Sequence, residues 1–338
     1  MYNKIIRNIK PLGFQWETCD PFLFCVHHRD NYPPGNDQMG PATSLEGRII
    51  GQDFTLREGW RMYHGETVPG FPTHPHRGFE TITVVLKGFV DHSDSFGAYG
   101  RYGSGDVQWM TAGAGLQHSE MFPLLKKDSS NQLELFQLWL NLPKTRKFVK
   151  PYYKMLWAED IPVYEARDNS DRSTRVRIIA GHIDQVKSLP AAPESWAIDP
   201  VNEVGIWLIT MEPHAQWTLP ATSFEVCRTL YFYEGSASSI EGIRIFPYHS
   251  VDLLADQQVV LENGNNEAHF LLLQGKPIGE PVVQHGPFVM NTSEEIHQAF
   301  LDYRHTQFGG WPWNNYENVH PRERGRFARY EDGSEEVR

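Results

Sequence analysis

Little cysteine, no long apolar run and no concentrated positive charge characterise this chain of 338 residues. There are three cysteines, Cys19, Cys25 and Cys227. Cys19 and Cys25 are near enough in sequence to pair, but an odd, sparse set without an export signal reads better as reduced thiols in a cytosol. No stretch approaches the roughly 18 uninterrupted apolar residues of a membrane span. The N-terminal MYNKIIRNIKPLGFQWETCD carries basic residues but no apolar core, so no signal peptide is read and a cytoplasmic location is expected. Lys and Arg number 31 against 42 Asp and Glu, a formal net charge of −11, and no run of five basic residues occurs. Such a surface repels phosphate backbones. Direct nucleic-acid binding is therefore disfavoured, whereas a basic protein partner is not.

What is present points to β-structure. Glycines number 28 and prolines 23, and aromatics make up 13% of the chain, a composition of many turns and few helices. PFLFCV (21–26), ETITVVL (80–86), DVQWM (106–110) and QLELFQLWLNL (132–142) read as strands. DHSD (91–94) reads as a turn. RVRIIA (175–180) starts new strands, and beyond PAAP (190–193) a second strand-rich block runs from VGIWLI (204–209) to FLLL (270–273). Two blocks of short strands separated by turns suggest two β-barrels in tandem. The basic, proline-punctuated NLPKTRKFVKPYYK (141–154) marks the boundary. The expected division is an N-terminal domain 1–143, an intervening segment 144–190, a C-terminal domain 191–310 and a tail 311–338. One helix is expected: Thr292 and Glu295 form a capping box, and Ile296, Ala299, Phe300 and Tyr303 follow at helical spacing. Trp311, Trp313, Tyr316 and Phe327 make the tail too aromatic to be solvated, but YEDGSEEVR from Tyr330 reads as disordered.

Fifteen histidines occur, and a lone histidine is most often a hydrogen-bonded surface or core residue. His92, His182, His249, His269, His297 and His320 take that reading. Two clusters differ. FPTHPHRGFE sets His74 and His76 two residues apart, and LQHSEMF does the same for His118 and Glu120. In a strand, residues i and i+2 share a face. Two such pairs can bring three imidazoles and one carboxylate to a point, a set suited to Fe, Zn, Mn, Ni or Cu. Four protein ligands on a six-coordinate ion leave two positions for substrate. Pro75 lacks an N–H, so this strand is expected to begin there or to lie at an edge. Glu80, four residues after His76, is expected to face inward and hold an imidazole N–H from behind. Gly113 and Gly115 serve the turn that delivers His118, Trp109 and Met110 belong to the core, and His27-His28 and Tyr63-His64 are candidates for the rim of the barrel mouth.

The run HPHRGFETITVVLKG followed by GDVQWMTAGAGLQHSEMF closely resembles the pirin family of the cupin superfamily. LELFQLWLNLP and GEPVVQHGPFVMNTSEEIHQAFLDY extend that resemblance over most of the chain. It implies an all-β bicupin: two antiparallel β-barrels (double-stranded β-helices) in tandem, with a C-terminal helix. It also implies one Fe(II), replaceable by other divalent metals, on His74, His76, His118 and Glu120 of the N-terminal barrel, and no metal in the second. HHRDNYPPGN and FGGWPWNNYENVHPRERGRFAR go beyond shorter members and are expected to remodel the entrance.

The resemblance further implies an iron-dependent dioxygenase similar to quercetin 2,3-dioxygenase. Such an enzyme cleaves a flavonol, or another small aromatic, enolisable substrate, with release of CO. Glu120 is the candidate base for the substrate hydroxyl. The alternative is a non-catalytic, iron-dependent redox-sensing regulator that binds a transcription factor or metabolic enzyme. A cupin isomerase or small-ligand binder is a third reading. No membrane partner is expected.

Overall fold

β-branched and aromatic residues at alternate positions favour extended backbone, and in the computed structural model the segments richest in them are strands. Residues 5–338 are described. The chain forms two compact units, each assembled from two separated stretches. One comprises Val26–Ala158 with Glu280–Arg338, the other Met1–Cys25 with Glu159–Gly279. These limits differ from the linear division expected at 143, 190 and 310. The reason is long-range strand pairing. Ile6–Pro11 pairs with His249–Leu254, so the N-terminal strand belongs with the later block. Phe327–Arg329 pairs with Tyr99–Gly103, which puts the tail with the earlier one.

The unit containing His74 has a small antiparallel sheet, which pairs Val283–His285 with Phe288–Met290, and two large ones. In one, Tyr152–Leu156, Val107–Thr111, Phe79–Lys87 and Asn131–Asn141 lie side by side in that order. In the other the order is Glu335–Val337, Phe327–Arg329, Tyr99–Gly103, Phe89–Asp94, Leu116–Met121 and Gly70–His76. Tyr32, Trp60, Val85, Val90, Tyr102, Leu135 and Trp157 pack its core. Asp91–Asp94 is therefore strand and not the expected turn: His92 pairs with Glu120 and Asp94 with His118. Helix Ser293–Thr306 carries the capping box read from the sequence. Thr292 Oγ1 accepts from the Glu295 N–H at 3.2 Å, and the Glu295 carboxylate accepts from the Thr292 N–H at 3.0 Å. Ile296 and Ala299 pack on Phe288, Met290 and Phe308. No helix among the described residues is long and apolar enough to cross a membrane.

The other unit has a seven-stranded antiparallel sheet running from Ile6–Pro11 to Val163–Arg167 and a four-stranded sheet of Gln216–Leu219, Val259–Asn263, Ser238–Ile240 and Ile243–Ile245. Trp207, Ile209, Leu230, Phe232, Phe270 and Leu272 are in its core.

Two expectations are corrected. Cys19 forms a disulfide with Cys227, 208 residues away, and Cys25 is the buried free thiol. Packing makes the pair: Trp16 stacks on Tyr231, whose hydroxyl donates to the Glu17 carbonyl at 2.7 Å. The reading of three reduced thiols, and the inference of a cytosolic setting drawn from them, is therefore not carried forward. The second correction concerns Tyr330–Arg338, which is ordered. Glu335–Val337 pairs with Phe327–Arg329, and the Glu336 carboxylate accepts from the Trp157 indole N–H. Charged side chains dominate the composition there, but their partners lie elsewhere in the unit.

Glu134 illustrates how a buried charge is held. Its carboxylate meets His27 Nε2 at 3.1 Å and Lys87 Nζ at 2.7 Å. Burial alone would raise its pKa, but the hydrogen bonds from His27 and Lys87 outweigh this and hold it at about 2. A carboxyl depressed in the folded state stabilises it above the unfolded pKa and loses that contribution as pH falls through the folded one. Glu134→Gln is expected to lower stability at pH 7 by about 2 kcal/mol, allowing for solvent screening of the half-exposed Lys87. Urea unfolding should show the gap to wild type closing between about pH 4.5 and 2. A gap independent of pH would refute the electrostatic account.

Candidate metal centre

The two i, i+2 pairs lie on neighbouring strands of one sheet. Gly70–His76 runs antiparallel to Leu116–Met121, with His74 directly opposite His118. Gly70–His76 is the last strand of its sheet, where a proline such as Pro75 is tolerated. A bulge between Phe71 and His74 sets the register. The turn into the second strand depends on glycine: Gly115 has φ +127°, and a Cβ there would sit 2.8 Å from the Phe308 ring.

These constraints gather three imidazoles. Ring centroids are 4.4 Å apart for His74 and His118, 4.8 Å for His74 and His76, and 5.0 Å for His76 and His118. One nitrogen of each lies within 4.8 Å of the others. His74 donates from Nδ1 to the Pro72 carbonyl at 2.8 Å, and His76 from Nδ1 to the Pro287 carbonyl at 3.3 Å. In both rings this leaves the Nε2 lone pair available. Both ring nitrogens of buried His118 lack a hydrogen-bond partner. Burial pushes His74 down to about 4 and His76 and His118 well below the ordinary histidine range. Three neutral imidazoles, two of them buried and His74 half-buried, with no hydrogen bond on His118, are a donor set that fits a divalent first-row metal.

Glu120 lies beside this group, its Oε2 3.7 Å from His118 Nε2. Its carboxylate is buried, which raises its pKa against the opposing hydrogen bond from Thr83. Thr83 Oγ1 donates to Glu120 Oε1 at 2.8 Å, and Gln137 Nε2 donates to Oε2 at 2.7 Å. Sequence reasoning missed Thr83 and Gln137. The available signal was a polar residue interrupting each of two strongly apolar strands, TITVVL and LFQLWL. It also missed His92, which stacks on Tyr153 at 4.9 Å and lies 5.5 Å from the His118 ring.

Glu80 lies beyond a break in the strand. The strand with His74 and His76 ends at His76, and a new one begins at Phe79. Pleat alternation then places Glu80 on the face opposite Thr83, the residue that meets Glu120. Its carboxylate accepts from Thr111 Oγ1 at 2.7 Å. The expectation that Glu80 backs an imidazole assumed one regular strand through Gly78, whose φ is +88°. Trp109 and Met110 are buried, as expected. His28 is also buried, its Nδ1 2.9 Å from the Tyr63 hydroxyl, which donates to Asp30 at 2.6 Å. Of the four rim candidates, only His64 lines the cleft described next.

A cleft of about 790 Å³ opens at His74. His64, Glu66 and Thr73 line it together with Asn315, Tyr316 and Glu317 of the tail. The Glu317 carboxylate accepts from the backbone N–H groups of Glu66, Thr67 and Val68, and the Tyr316 carbonyl from the Thr73 N–H at 3.1 Å. The tail thus forms one wall of the entrance.

Comparison with known proteins gives two family-model matches, Pirin over residues 7–140 and the Pirin C-terminal cupin domain over residues 206–309. Pirin of Mus musculus is 37% identical over 254 residues, 73% of this chain and 80% of that protein. A Pseudomonas aeruginosa protein provisionally named quercetin 2,3-dioxygenase is 36% identical over 239 residues, 71% of this chain and 79% of the relative. A crystal structure of quercetin 2,3-dioxygenase from Acinetobacter baumannii superposes with a TM-score of 0.70 at 26% identity, covering 90% of this chain and 98% of that one.

Proposed function

From this chain's membership of the pirin family, we propose that it is an iron(II)-dependent dioxygenase of the quercetin 2,3-dioxygenase kind, with His74, His76, His118 and Glu120 holding one ion. The observation that carries the reading is the convergence of three neutral imidazoles beside a carboxylate where a cleft begins. When bound, the ion supplies Lewis-acid and redox chemistry toward an enolisable substrate and dioxygen. The volume of the cleft falls within the range of roughly 300–1,000 Å³ usual for small-ligand sites. His64 and Tyr316 offer ring faces to a flat aromatic substrate.

Glu120 takes the proton of the substrate hydroxyl on Oε1 when the substrate reaches the ion and loosens the carboxylate from it, since a tightly held ligand cannot also serve as a free base. Thr83 accommodates the change. Its hydroxyl lies 2.8 Å from Glu120 Oε1 and 2.9 Å from Gln137 Oε1, so it can turn to Gln137 when Oε1 is protonated. Gln137 Nε2 keeps Oε2 oriented throughout. A redox-sensing regulator needs no open path to the imidazoles, and the cleft at His74 favours catalysis over that alternative.

Iron-loaded protein mixed anaerobically with quercetin should shift the flavonol absorbance toward that of its anion. Admitting oxygen should bleach the band with release of CO. Glu120→Gln is expected to slow bleaching by about 100-fold or more, the scale of a lost general base. No shift in iron-replete protein would reject flavonols, and turnover within threefold of wild type in Glu120→Gln would reject the base.

A further inference from the structure

The unit formed by Met1–Cys25 and Glu159–Gly279 has a cavity of its own, about 670 Å³, lined by Arg228, Gln274, Trp207, Ile198 and Val204 among others. Arg228 lies on strand Cys227–Glu234 and shares a face with Leu230 and Phe232, both core residues. It is 2% exposed. Cross-strand pairing sets it opposite Gln274, whose Oε1 accepts from Arg228 Nε at 2.9 Å, and the Pro220 carbonyl accepts from Nη1 at 2.9 Å. A guanidinium has five N–H donors. Two are used here, both on neutral acceptors, and no carboxylate among the described residues forms an ion pair with it. Burial lowers its pKa to about 10, so the group stays charged at neutral pH.

A buried cation without an anionic partner is costly, and proteins retain one where a ligand supplies the counter-charge. The nearby acids are engaged or exposed. Glu203, which also lines the cavity, accepts from the Thr222 and Ser223 hydroxyls and lies 3.7 Å from Lys276; its charge reaches Arg228 without an ion-pair contact and only partly opposes the effect of burial. Asp199 caps the backbone N–H of Val201 at 3.0 Å, and Asp184 is exposed. On the cationic side, Lys187 also lines the cavity. The remaining wall is largely apolar.

We propose that this cavity binds a small organic carboxylate with an apolar body, its two oxygens accepting paired N–H groups of Arg228. The site is separate from the imidazole cluster, and the proposal does not depend on the dioxygenase reading.

Calorimetric titration of the full chain with benzoate, phenylacetate and neutral benzamide tests it. At least one of the two acids should bind saturably, and benzamide about tenfold more weakly or worse. Arg228→Gln should weaken the acid by at least about tenfold. Ala197→Trp, which fills the lining while leaving the arginine in place, should do the same and guards against misfolding of the first variant. Binding should be unchanged in His76→Ala, because a carboxylate held by the imidazole cluster would be lost there. Failure of both acids to bind, equal affinity for benzamide, retained affinity in either cavity variant, or loss in His76→Ala would each overturn the proposal.

Discussion

His118→Ala is expected to abolish metal binding, from near one iron per chain after anaerobic loading to below about a tenth, the scale of a lost metal ligand. His118 is central to the cluster: it is the direct cross-strand partner of His74, its ring is the nearest to Glu120, and it is buried with no hydrogen bond on either nitrogen. Removing it takes away a donor and opens a void beside two others. The fold should persist, because the core of this unit rests on two sheets and aromatic packing. His285→Ala is the control, since His285 meets Phe300 edge to face, and it should keep its metal. Elemental analysis alongside circular dichroism decides the matter. Stoichiometric iron in folded His118→Ala would dismiss the site.

Arg101→Met is expected to be the most destabilising single change in this unit. Arg101 is fully buried and forms a two-pronged ion pair with Asp91, both contacts at 2.7 Å. The same guanidinium donates to the carbonyls of His320, Pro321 and Arg324 at 2.8–2.9 Å, and Asp91 accepts from the His320 N–H at 2.8 Å. The pair therefore ties down the tail that walls the cleft. Breaking a buried pair from one side strands the other charge and costs about 3–5 kcal/mol. At roughly 2–4 °C per kcal/mol for a unit of this size, the melting temperature should fall by on the order of 10 °C. Adding Asp91→Leu should recover part of the loss, because the stranded charge goes with it. Calorimetry with limited proteolysis of the tail tests both. A melt within about 2 °C of wild type would show that the tail is held by other contacts.

Much of the fold was legible because strands with apolar alternation announce themselves locally. ETITVVL and QLELFQLWLNL became Phe79–Lys87 and Asn131–Asn141 almost residue for residue. The capped helix was equally local: an N-cap and its N3 partner are three residues apart. The candidate site was partly legible for the same reason, since H-x-H and H-x-E state which side chains share a face. What failed was the reading that equated a charged composition with disorder, as for Tyr330–Arg338, and the assumption of one unbroken strand from His76 to Glu80.

By itself, then, the amino-acid sequence determined the strands, the helix cap and the pairing of His74 with His76 and of His118 with Glu120, all features with a period of two to four residues. Only the tertiary structure decided that the two pairs are cross-strand neighbours, that Thr83 and Gln137 hold Glu120, that Cys19 meets Cys227 and that the tail walls the cleft. The physical reason is that each of these depends on sheet register or on a buried hydrogen bond between segments that pack together in the folded chain, and no local pattern of residues encodes which distant partner will be there.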